Sequence, residues 1–220
     1  MYLKVNDITL YYEKSGKGNP ILLLHGNGES NKIFDILRKQ LEEQYTVYAI
    51  DSRGHGNSSK VKSLDYNSMA EDIIQFIQVL QINQPILYGF SDGGILGLII
   101  ASKHPTLLSK LIISGANVTP DGLKRKYIKL FRFIYFITKS SNFNLMLTQP
   151  NISEKELAKI TTETIILAGS KDMIEEKHTK YIAKCITNSK LQIINGEGHE
   201  SYVVNTPKLY EILKPYLITS

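Results

Sequence analysis

Residues 86–103 read Ile86-Leu87-Tyr88-Gly89-Phe90-Ser91-Asp92-Gly93-Gly94-Ile95-Leu96-Gly97-Leu98-Ile99-Ile100-Ala101-Ser102-Lys103. The short apolar run at the start predicts a buried strand, and residues 92–103 predict a helix that follows with no loop between. Gly89-x-Ser91-x-Gly93 falls on that junction. Glycine on both sides of the serine lets the chain turn where a Cβ would clash, leaving Ser91 at strained backbone angles with its hydroxyl exposed. A helix starting just after Ser91 adds backbone N–H groups and partial positive charge where an oxyanion would develop. The pattern alone is weak and would equally describe a tight turn with an N-capping serine; its strand-to-helix setting is what a nucleophile on a sharp turn requires.

Working outward, the same alternation continues on both sides. Residues 2–5 and 8–13 around Asn6-Asp7 predict an opening hairpin, and Ile21-Leu22-Leu23-Leu24 predicts a buried strand stopped by His25-Gly26-Asn27-Gly28. Residues 33–41 have helical spacing, 45–50 are strand-like, and 69–80 place Ile73, Phe76, Ile77 and Leu80 on one helical face. Residues 110–114 are strand again. After a mostly helical segment up to residue 160, with its longest piece at 123–139, strands at 164–167 and 190–194 and helices near 176–186 and 208–216 resume the pattern. Strands alternating with helices argue for an α/β protein built on a mostly parallel sheet.

Composition narrows the class. With 220 residues and 42% hydrophobic side chains, one core is large enough that disulfide staples are unnecessary, and the lone Cys185 allows none within the chain. Residues 1–10 alternate polar and apolar without the pattern of a signal peptide, and no window is apolar enough to span a membrane, so a cytoplasmic protein with no stable membrane insertion is expected. The net charge of +5 is local: residues 119–161 hold eight Lys/Arg against three Asp/Glu and carry the whole excess. A nucleic-acid partner is therefore not expected.

A serine hydroxyl needs a base, and the base needs an orienting acid. Of His25, His55, His104, His178 and His199, the last lies in Asn195-Gly196-Glu197-Gly198-His199, after the final strand and before the final helix. That is a carboxyl-end loop, where open α/β sheets keep their sites. His104 and His178 fall in helical segments and are expected at the surface. Asp172 leaves a strand through Leu167-Ala168-Gly169-Ser170-Lys171 on the same edge; its competing role is a cap for the next helix, and Asp121 is the fallback acid.

The order Ser91, Asp172, His199 in this strand context resembles the α/β-hydrolase superfamily, in particular its small esterases, cofactor-free peroxidases and carbon-carbon hydrolases. The resemblance spans essentially the whole chain. It implies a sheet of about eight strands flanked by helices, with residues 1–118 and 162–220 as core and 119–161 as a short helical cap over a partly open pocket. His25-Gly26-Asn27-Gly28 matches the family's H-G-x-x loop, which implies that the backbone N–H groups of Asn27 and Asp92 form an oxyanion hole. Residues 51–58 resemble its D-x-R-G-x-G-x-S loop, implying a scaffolding role for His55. The Asp92 carboxylate is expected to face away from the site and support its own helix.

The activity implied is hydrolysis of a small or medium carboxylic ester through an acyl-enzyme, with no metal or organic cofactor. Carbon-carbon cleavage, lactone opening, amide cleavage, cofactor-free peroxidation, or a non-catalytic binding role on the same fold remain open. Cap aromatics among Tyr127, Phe131, Phe133, Tyr135, Phe136 and Phe143 are expected to line an apolar pocket while the Lys and Arg beside them stay solvated. Uncharged or anionic esters are then the expected preference.

Overall fold

Strand β3 (Asn19–Leu24) lies near the middle of the molecule because its side chains are apolar on both faces. Ile21 and Leu23 enter one cluster and Leu22 and Leu24 the other, all fully buried. Each such side chain contributes about 1.5–3 kcal/mol relative to exposure, so the position of this strand is strongly determined. Around it run β1 (Tyr2–Val5), β2 (Ile8–Ser15), β4 (Tyr45–Ile50), β5 (Ile86–Phe90), β6 (Lys110–Ser114), β7 (Glu163–Gly169) and β8 (Ser189–Ile194). They form one eight-stranded sheet in the order β1-β2-β4-β3-β5-β6-β7-β8. The pairs β1–β2 and β2–β4 are antiparallel, and the rest are parallel. The computed structural model describes residues 1–217.

Helices cover both faces. Helices α2 (Tyr66–Val79) and α3 (Asp92–Lys103) bury Ile73, Phe76 and Leu96 against one, while α1 (Asp35–Leu41) and α8 (Lys208–Leu217) bury Leu37 and Leu213 against the other. Between β6 and β7 run α4 (Arg125–Thr138), α5 (Ser141–Thr148) and the single turn α6 (Glu154–Leu157); α7 (Glu176–Cys185) separates β7 from β8. Leu157 and Ile160 sink fully into the core cluster, whereas α4 has no fully buried residue. The later part of this insertion is thus packed as core, and α4 with α5 stands above it.

Two boundaries differ from the sequence reading for local reasons. Helix α2 starts at Tyr66 instead of 69 because the Asp65 side chain caps it, accepting from the Ser68 N–H at 2.8 Å; its polar first turn hides the apolar period. Residues 33–41 divide into a 3₁₀ turn, Asn31–Phe34, and α1. The loop after β4 is held from within. Buried Asp51 accepts from the Asn31 N–H at 2.7 Å and the Asn57 N–H at 2.7 Å, and Arg53 pairs with buried Asp72 at 2.7 Å.

Candidate active site

Strand β5 delivers Ser91 to the carboxyl edge of the sheet, where α3 begins at once. Ser91 has φ 51° and ψ −113°, a left-handed strained conformation for a residue with a side chain. Both flanking glycines are sterically required: a Cβ on Gly89 would lie 2.2 Å from the Gly93 carbonyl oxygen, and one on Gly93 would lie 2.1 Å from the Leu24 carbonyl oxygen. The turn is closed by the Ser91 N–H donating to Ser114 at 2.8 Å and the Gly93 N–H donating to His25 at 3.1 Å.

Loops after β7 and β8 bring the other two residues to it. Ser91 Oγ lies 3.1 Å from His199 Nε2, and His199 Nδ1 donates to Asp172 Oδ1 at 2.7 Å. The Asp172 contact puts the proton on Nδ1 and leaves Nε2 free to accept from the serine hydroxyl. Asp172 is 2% exposed, and its Oδ1 also accepts from the Ile174 N–H at 2.9 Å. From the head of the cap, Lys124 Nζ donates to the Asp172 backbone carbonyl. This corrects the expectation that every cap cation is solvated. The imidazole packs on Phe90, with ring centroids 4.9 Å apart.

Gly115, just past β6, was not singled out by sequence reasoning. It has φ +63°, and a Cβ there would lie 2.7 Å from His199 Cε1 and 3.3 Å from Asp172 Oδ2. The imidazole and carboxylate occupy the space that any other side chain would fill. A glycine directly after a buried strand was the available signal.

Asp92 follows Ser91 directly and Asn27 lies in the loop after β3; among the described residues neither backbone N–H has a protein acceptor. Their side chains bond to each other, Asn27 Nδ2 donating to Asp92 Oδ2 at 2.9 Å, while Tyr66 Oη donates to Asp92 Oδ1 at 2.7 Å. Burial pushes the Asp92 carboxyl up, against the lowering effect of those two hydrogen bonds. Asp92, 4% exposed in the first turn of α3, thereby holds both Tyr66 and Asn27. His25 orients the loop below Asn27. Its Nδ1 donates to the Gly26 carbonyl at 2.7 Å and its Nε2 accepts from the Ser52 N–H at 3.0 Å, which requires the neutral ring. Burial accordingly lowers its pKa to about 4.

The remaining histidines and the fallback acid lie elsewhere. His55 is buried, with Nδ1 donating to the Arg53 carbonyl and Nε2 3.3 Å from Asn142 Nδ2, a contact between core loop and α5. His104 is exposed, and so is Asp121. His178 is not the surface residue expected: half-buried, it accepts from the Val118 N–H at 3.0 Å and ties α7 to the exit of β6.

A cavity of about 310 Å³ opens over Ser91 and His199. Its apolar wall comes from Phe131 of α4, Phe143 and Met146 of α5, and Met173. Only two of the six cap aromatics reach it, and Phe133 and Phe136 face solvent instead. Among the described residues its charged lining is Glu29 and Glu200, with no Lys or Arg. Glu29 Oε2 accepts from the Gly26 N–H at 2.8 Å. The point where a Gly26 Cβ would sit lies 2.7 Å from Glu29 Oε2 and 3.2 Å from Ser91 Cβ, so the carboxyl adjoins the serine. Burial, with Glu200 and Asp92 adding to it, raises the Glu29 pKa to about 7 against the opposing Gly26 hydrogen bond. Sequence reasoning passed over Glu29, although an acidic residue in the loop after β3 was a visible signal. Neither carboxyl lends support to the expected tolerance of anionic esters.

This architecture and its edge loops define a class of protein, and comparison with known families gives the same one. The family model described as alpha/beta hydrolase fold matches residues 19–136, more than half of the chain, and the chain belongs to that family. Among curated relatives, it is 25% identical to the AB hydrolase superfamily protein YisY of Bacillus subtilis, over 98% of both chains. It is 27% identical to the serine hydrolase BPHL of Homo sapiens, over 97% of this chain and 84% of that one. An esterase from Exiguobacterium antarcticum superposes with a TM-score of 0.85 over 98% of both chains at 24% identity, a likeness of fold. Among the described residues no helix is long and apolar enough to cross a membrane.

Proposed function

We propose that this α/β hydrolase is a serine carboxylic-ester hydrolase acting on small to medium esters. The observation that carries the reading is the unbroken hydrogen-bond chain Asp172–His199–Ser91 at the floor of a cavity of about 310 Å³. Ser91 Oγ attacks the ester carbonyl while His199 Nε2 takes its proton, and Asp172 stabilises the imidazolium that results. The Asn27 and Asp92 N–H groups receive the oxyanion; one such donor is worth about 3–4 kcal/mol of transition-state stabilisation. His199 returns the proton to the departing alkoxide. Water, deprotonated by the same histidine, then releases the acid and restores Ser91. No step draws on a metal or organic cofactor.

Residues 119–161 act in this reading as the cap, with α4 and α5 closing one side of the pocket over the acyl group. The apolar wall supports a preference for acyl chains that fit it, and the Glu29 and Glu200 carboxyls oppose anionic substrates. Hydrolysis of p-nitrophenyl esters from acetate through octanoate, by wild type and Ser91→Ala side by side, tests the assignment. Chain-length-dependent turnover lost in the variant is expected, with stoichiometric labelling of wild type by a fluorophosphonate. Turnover by Ser91→Ala at the wild-type rate, or an unlabelled wild type, would end it.

A further inference from the structure

The outer face of α4 has no role in the pocket. Residues 124–139 contain six Lys/Arg and no Asp/Glu. The inner side of the helix, with Phe131, packs over the cavity and α5. On the outer side, Leu130, Phe133 and Ile137 at i, i+3 and i+7 form an apolar strip, with exposures of 48%, 63% and 63%, and Phe136 beside it is 72% exposed. Arg125, Lys129 and Arg132, at i, i+4 and i+7 and likewise exposed, run along the strip, and Lys126 is exposed at its start. Exposed apolar side chains singly are ordinary, whereas four on one helix face, edged by cations, form a patch.

We infer that this face of α4 docks on a bilayer surface containing anionic lipid. Both halves of the patch are satisfied only there. A soluble polyanion or nucleic acid would meet the cations and leave aliphatic Leu130 and Ile137 in water, since these side chains cannot stack on bases. A second copy packed through the same face would set these four cations against four. At a bilayer, Phe133, Phe136, Leu130 and Ile137 enter the headgroup–acyl boundary while long Lys and Arg stems extend to the phosphates. The chain's cation excess lies in the segment that carries this helix, because the remainder outside 119–161 is neutral in sum.

The chain contains no tryptophan, so Phe136→Trp gives a single reporter on the patch. The test mixes this protein with vesicles of phosphatidylcholine, with or without about a quarter phosphatidylglycerol, at low and high salt, following emission and co-sedimentation. Expected are a blue shift and sedimentation with anionic vesicles only, weakened by salt. Both should weaken at least about tenfold when Lys126→Glu, Lys129→Glu and Arg132→Glu are combined. Phe133→Ser should weaken sedimentation of the otherwise wild-type chain, and Lys129→Arg should not. These side chains are exposed, and an unchanged melting curve keeps each comparison interpretable. Equal binding to neutral vesicles, an unshifted emission, or a blue shift arising with protein concentration in the absence of vesicles would each overturn the inference. So would binding to duplex DNA without binding to vesicles.

Discussion

The Asn27 side-chain amide donates to Asp92 Oδ2 at 2.9 Å, so the two residues proposed to supply the oxyanion hole are joined by their own side chains. One stands in the loop after β3 and the other opens α3. The bond ties together the two proposed donors, which no shared secondary element holds, and Tyr66 holds its far end. Losing it leaves a buried carboxylate with one donor fewer, which costs about 1–3 kcal/mol.

Asn27→Ala should therefore lower kcat on p-nitrophenyl butyrate about 10- to 100-fold, with a smaller change in KM, and lower the urea midpoint. A variant that keeps both values would show that the backbone donors are held without this bond.

Ser91 occupies a conformation that costs about 1–3 kcal/mol for a residue with a Cβ. Ser91→Gly should be more stable than Ser91→Ala by about 1 kcal/mol while both lack turnover. Equal melting midpoints for the two variants would contradict strain at φ 51°.

Gly115→Ala places a methyl group 2.7 Å from His199 Cε1 at a backbone φ of +63°. Displacement of the imidazole should reduce kcat at least about 100-fold, and the chain should lose about 1 kcal/mol or more of stability. Wild-type kcat in a folded Gly115→Ala protein would show that His199 has room to shift without consequence.

The raised Glu29 pKa fixes a sign for pH dependence. Its folded value of about 7 exceeds its ordinary 4.5, so between these limits the native chain holds a proton that the unfolded chain releases. This contribution to stability is fully present below about pH 4.5 and is lost as pH rises through about 7. Glu29→Gln should thus gain stability relative to wild type when urea melts are compared at pH 5 and pH 8.5. A difference that shrinks as pH rises would refute this.

The same carboxyl sets substrate charge. Wild type should hydrolyse a neutral aryl ester faster than its hemisuccinate counterpart, by a ratio that grows from pH 6 to pH 8 as Glu29 ionises. In Glu29→Gln the ratio should stay nearly flat, with Glu200 as the remaining carboxylate. Paired kcat/KM values across that range are the measurement, and an equal slope in both proteins would remove Glu29 from specificity.

The linear order of residues carried the alternation of strands and helices and the glycine-flanked turn at Ser91. Both rest on periodicity and on steric rules that act within a few residues. The same local rules put His199 and Asp172 in carboxyl-end loops, because a loop's place follows from the strand it leaves. Contacts between distant loops were not legible in this way. Glu29 beside the serine, Gly115 beneath the imidazole, the Asn27–Asp92 bond and the seat of His178 under Val118 all join segments far apart in the chain. They depend on the register of β3 through β8 and on the packing of α4 and α5 over that edge. Sequence by itself determined which elements form and which loops they feed; the tertiary structure alone decided which side chains meet there and how burial shifts their charge, because desolvation and through-space contact exist only once the strands are aligned.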